Sequence, residues 1–85
     1  MTEDRFREIM SQSSDVGTSD VARIFAGLVI VAKYIPGKDL TGAEHDIVYS
    51  ADICELAASK ITEDEVKMLR DLRWRIEDDC LVHYV

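Results

Sequence analysis

The residue types in this chain best suited to hold a transition metal are Cys54, Cys80, His45 and His83. Cys80-x-x-His83 would supply half of a zinc site, but its surroundings read as a strand. Residues three apart on a strand point to opposite faces, so the two donors cannot converge unless a bulge intervenes. His45 and Cys54 lack the tight knuckle spacing of structural zinc sites. The expectation is therefore no metal and no cofactor. The cysteines are a single pair, too sparse for the disulfide framework of a small secreted domain. They read as reduced, mostly buried thiols, and the histidines as surface or strand-end groups.

Glu44-His45-Asp46 places an acid, an imidazole and a carboxylate together, as general acid–base chemistry requires, yet neighbours on a strand face alternately and do not make a site by adjacency. Glu77-Asp78-Asp79 could gather a hard cation, but the spacing, glycine and terminal glutamate of a calcium loop are missing, and a solvated turn is the better reading. No nucleophile elbow, phosphate-cradling glycine loop or dinucleotide fingerprint is present. The sequence thus gives no reason to expect an enzyme. Arg70, Arg73 and Arg75 with Trp74 between them form the basic-aromatic cluster of the chain, a composition typical of binding hot spots. The plainer reading makes Trp74 a core residue at a strand start and pairs the arginines with acids elsewhere in the chain.

Those acids are unevenly placed. The formal charge is −7, and residues 36–66 carry eight acids against Lys38 and Lys60. Such a balance argues against sequence-independent binding to nucleic acid, which needs clustered Lys and Arg to release counterions. The acidic middle is either a solubilising face or a surface that meets a basic partner. The candidate partner-binding residues are accordingly Asp46, Asp52 and Glu55 on the acidic side, and Arg70, Arg73 and Arg75 on the basic side. No apolar run reaches the roughly 20 residues that span a bilayer. Met1-Thr2-Glu3-Asp4 is acidic where a secretory signal would be basic, so a cytoplasmic, non-membrane protein is expected.

The elements that must position these residues can be read from caps and periodicity. With 85 residues there is room for one domain, residues 1–85, and one core. Thr2 caps a first helix with Phe6, Ile9 and Met10 on one stripe. A polar connection, Ser11 to Gly17, leads to a second helix capped by Thr18 or Ser19 and running to about Ile35, where Pro36-Gly37 ends it in a type II turn. The segment 24–32 is apolar on every face and must be covered, either as the central core element or partly as a dimer interface. A loop over residues 38–43 precedes a strand over His45–Ser50, and the stretch from Asp52 to Ser59 reads as a short helix. Thr62-Glu63-Asp64-Glu65 is a capping box opening a helix with Val66, Leu69 and Leu72 inward. Trp74 to Glu77 and Cys80 to Val85 form a hairpin. Because its turn, Asp78-Asp79, lacks glycine, the connection should exceed two residues or use a type I turn with a bulge. The fold class is α+β: a small antiparallel sheet packed on the long helix.

The run His45-Asp46-Ile47-Val48-Tyr49, then Thr62-x-x-Glu65, Leu69-x-x-Leu72-x-Trp74, the acidic turn Glu77-Asp78-Asp79 and the terminal Tyr84-Val85 resemble a group of small proteins of tailed phages and prophages that have no assigned activity. The resemblance covers roughly residues 44–85. Those proteins usually carry glycine just before the tryptophan and a second Trp or Phe in the last strand, where this chain has Arg73 and His83-Tyr84. The resemblance implies an accessory phage product of α+β fold and transfers no functional residue. The expected function is a small acidic, non-enzymatic protein-interaction module acting on a host or phage protein, in its specialised form a nucleic-acid mimic. The alternative is a homo-oligomeric structural or assembly factor joined through the apolar helix 24–32.

Overall fold

A computed structural model describes residues 1–12, 20–38, 40–44 and 47–84 of the chain. Among these residues the helices are α1 (Glu3–Met10), α2 (Asp20–Tyr34), α3 (Ile53–Ala58) and α4 (Glu63–Asp71). The strands are β1 (Gly42–Glu44), β2 (Ile47–Asp52), β3 (Arg75–Glu77) and β4 (Cys80–Tyr84). The class is α+β, as the sequence predicts. Thr2 caps α1 by accepting from the Arg5 amide, and Asp52 caps α3 by accepting from the Cys54 amide. Both satisfy an amide that the first helical turn leaves without a partner. The expected cap of α2 at Thr18 or Ser19 lies outside the described residues, as do His45 and Asp46. Its other end closes as expected: Lys38 N–H donates to the Ile35 carbonyl across Pro36-Gly37, and Gly37 takes a φ of +86°.

The sheet is antiparallel in the order β1-β2-β4-β3. Strand β1 corrects the expectation of a plain loop over residues 38–43. Its Gly-Ala-Glu sequence has no strand propensity, and it exists because β2 offers an edge on which Gly42 faces Tyr49 and Glu44 faces Ile47. Between β2 and β4 the register slips by one residue after Tyr49, and both Ser50 and Ala51 at the slip are buried. The β3–β4 turn also departs from expectation. Glu77 pairs with Cys80, so the loop is two residues long, and Asp78 and Asp79 both have positive φ, 50° and 63°. This is the type I′ geometry that matches strand twist; aspartate tolerates the left-handed region well enough to stand in for glycine. The Asp79 carbonyl also accepts from the Ile53 amide, which ties the turn to the start of α3.

Phe6, Ile9, Ile53, Leu56, Val66, Leu69 and Leu81 are fully buried and form the centre of the core. Helix α1 lies against α3 and α4 and contributes Phe6 and Ile9 to the core. Helix α2 contributes one face, with Gly27, Ile30 and Val31 inward, against α4 and β2. It is not covered all round: Phe25 and Val29, one turn apart on the opposite face, are 64% and 68% exposed. The thiols also differ from expectation, since Cys54 is exposed and Cys80 half-buried, whereas His83 is buried.

What holds α2 in place is a polar latch at one end and a close backbone approach at the other. At the first, Glu65 is the third residue of α4 and closes the expected capping box with Thr62. Its carboxylate also accepts from the Tyr34 hydroxyl and from Lys33 Nζ at the end of α2. Burial alone would raise the Glu65 pKa, but the hydrogen bonds from Tyr34, Lys33 and Thr62 outweigh it and hold the group at about 2. A depressed carboxyl stabilises the fold above its unfolded pKa and loses that contribution as pH falls through its folded value. Stability should therefore decline between about pH 4.5 and pH 2 by on the order of 2–3 kcal/mol from this group. In Glu65→Gln, denaturation followed by circular dichroism should show a weaker fold at pH 7, with the gap to the native chain closing over that window.

At the other end, the Trp74 indole lies along the first turns of α2 and donates from Nε1 to the Arg23 carbonyl at 3.1 Å. Gly27 makes this possible. An added Cβ there would sit 1.9 Å from Trp74 Nε1.

Candidate functional site

The arginine cluster is set out by the way α4 ends. Leu72 is the C-cap, the Arg73 amide donates to the Arg70 carbonyl, and the Trp74 amide donates to the Leu69 carbonyl. These are the paired bonds of a Schellman motif, completed by burial of Trp74 and Leu69, the hydrophobic pair that accompanies it. The motif requires a left-handed residue after the cap, and Arg73 fills that place with a φ of 71°. Glycine is the usual occupant, because the left-handed region costs a residue with a Cβ about 1–2 kcal/mol. An arginine is therefore held at a position where backbone energetics favour glycine, and its exposed side chain makes no ion pair among the described residues.

Arg73 opens onto a cleft of about 320 Å³ lined by Arg23, Arg73, Arg75, His83 and Tyr84. It also borders a second cleft of about 180 Å³, lined by Met10, Gln12, Arg70, Trp74 and Arg75 as well. Because Arg73 and Arg75 line both, the two clefts are neighbours that share these side chains as walls, an arginine groove at the β3–β4 hairpin and the end of α4. Among the described residues no acidic side chain lines either part. A chain of net charge −7 thus gathers basic side chains from α2, the α4–β3 connection and β3 on one concave surface. Arg75 lies over the Tyr84 ring, 5.6 Å from its centroid, and the Tyr84 hydroxyl donates to Glu77, which holds its pKa above the usual range.

The floor of the groove is rigid for an identifiable reason. His83 Nδ1 is 2.8 Å from the Tyr84 carbonyl and Nε2 is 3.1 Å from the Leu72 carbonyl. Whichever ring nitrogen carries the proton, it donates to main chain, and the ring meets Trp74 edge-on at 5.2 Å. With the proton on Nε2, His83 donates to the Leu72 carbonyl and joins β4 to the turn that carries Arg73. The signal available in the sequence was its place beside the apolar Leu81-Val82 pair.

Chain comparisons with protein-family models, curated protein sequences and solved structures return no match.

The six candidate partner-binding residues divide sharply. Arg73 and Arg75 come together in the groove. Arg70 borders it but is pinned by Asp71 and by Gln12 Oε1 at 2.6 Å, not by the acidic middle of the chain. Asp52 caps α3, and Glu55 pairs with Lys38 at 3.2 Å, so each acid has a local task. Asp46 lies outside the described residues, which leaves the Glu44-His45-Asp46 constellation without a geometry. Among the described residues no group of three or more His, Cys, Asp or Glu is placed to hold a metal, and no helix is long and apolar enough to cross a membrane. Cys54 donates to Glu3, which raises its pKa, and burial raises that of Cys80. Both changes disfavour the thiolate that nucleophilic or redox chemistry uses. What the arrangement offers chemically is recognition of negative charge by guanidinium forks.

Proposed function

We propose that this chain is a non-enzymatic protein-interaction module that receives an acidic segment of a host or phage partner in the arginine groove. The observation that carries the reading is Arg73: a strained backbone position, a basic concave surface and a guanidinium with no ion pair among the described residues coincide at one residue. Strain of this kind persists where the surrounding structure enforces it, and it concentrates at binding sites. The mimic version, in which acids stand in for phosphates, draws less support because Asp52 and Glu55 are engaged within the chain.

The test is a calorimetric titration with an acidic peptide at low and high salt, using the native chain and the double variant Arg73→Glu, Arg75→Glu. Binding that weakens at high salt and is lost in the variant supports the reading. Equal affinity in the two proteins removes it. A second reading, self-association through α2, is favoured by the exposure of Phe25 and Val29 on one face. Light scattering at micromolar concentration distinguishes it, since a dimer should revert to monomer when Val29 becomes Glu.

A further inference from the structure

We infer that the larger cleft is built for a phosphoryl group, so that the module, on the reading above, recognises a phosphorylated side chain of its protein partner and not merely an acidic one. Two guanidiniums, Arg73 from the α4–β3 connection and Arg75 from β3, border a single cleft of about 320 Å³ with no carboxylate among the described residues that line it. A carboxylate carries one charge and two oxygens, enough for one bidentate fork. A phosphate monoester carries close to two charges and three terminal oxygens, enough for more than one fork at once. Clusters of arginine are accordingly a recurring solution for phosphorylated motifs.

The surroundings favour one phosphoryl group on a protein over the repeated phosphates of a nucleic acid. A polyanion must cross the rest of the surface, and this chain is −7 overall. A single phosphoryl group needs only the cleft. The two parts of the groove share Arg73 and Arg75, which puts the second, lined by Gln12 and Arg70, beside the phosphoryl site for residues that flank the phosphorylated position. The inference rests on Arg73 and Arg75, whose side chains have no carboxylate partner among the described residues.

Isothermal titration with three versions of one acidic peptide, carrying phosphoserine, glutamate or alanine at the centre, tests it, with a short single-stranded oligonucleotide as a fourth probe. The phosphoserine peptide should bind at least tenfold more tightly than the glutamate peptide, and Arg73→Gly should erase that advantage while the protein stays folded. Equal affinity for phosphoserine and glutamate overturns this inference and leaves the protein-interaction reading standing. If no peptide binds, both fail. Preference for the oligonucleotide overturns the choice of a protein ligand.

Discussion

Gly27→Ala is expected to destabilise the fold by about 3 kcal/mol, from overpacking together with loss of one buried hydrogen bond. The added methyl would lie 1.9, 2.4 and 2.8 Å from Nε1, Cε2 and Cδ1 of Trp74, none of which is the far end of a flexible side chain. The indole has nowhere to retreat. It is buried, bonded to the Arg23 carbonyl and packed edge-on to His83, so relief requires α2 to move away from Trp74 and the α4–β3 connection. In a domain of this size, whose total stability is on the order of 5–10 kcal/mol, that is a large fraction. The sign makes the test sharp. Helix propensity alone predicts that alanine in mid-helix is better than glycine by roughly 0.5–1 kcal/mol. Urea unfolding of Gly27→Ala, with Val29→Ala as an exposed control on the same helix, separates the two: a stabilised Gly27→Ala would mean that Trp74 does not approach α2.

Arg73→Gly should do the opposite to stability and remove binding. Glycine accepts the left-handed C-cap position without strain, so the variant should gain about 1 kcal/mol in unfolding free energy. Loss of a central guanidinium from an arginine groove should weaken an acidic peptide by at least about tenfold, the scale of an arginine hot spot. Opposite movement of stability and affinity is difficult to produce by damage to the fold. An Arg73→Gly protein of unchanged stability would contradict the backbone argument, and one that binds as well as the native chain would contradict the functional one.

How much of this could be read beforehand depended on whether the cause was local. Thr2, the Thr62–Glu65 box and Pro36-Gly37 act through neighbours in sequence, and the structure places the ends of α1, α2 and α4 where those residues imply. Strand β1 and the Asp78-Asp79 turn were not legible, because their causes are pairing across β2 and a twist match that aspartate tolerates without advertising. The apolar run 24–32 marks a helix but not its half-covered state, since which face is buried depends on where Trp74 sits. Gly27 was the available clue: a glycine inside a strong helix pattern usually marks close packing. The basic cluster was visible in Arg70, Arg73 and Arg75, whereas Arg23, His83 and Tyr84 join it only through the fold.

The most direct test of the central claim is a nitrogen-15 NMR titration of the native chain with an acidic peptide carrying a central phosphoserine. The groove account predicts shift changes at the amides of Arg73, Arg75, His83 and Tyr84 and at the Trp74 indole N–H, with α3 and the Phe25–Val29 face unmoved. Changes confined to that α2 face, or to α3, would contradict it.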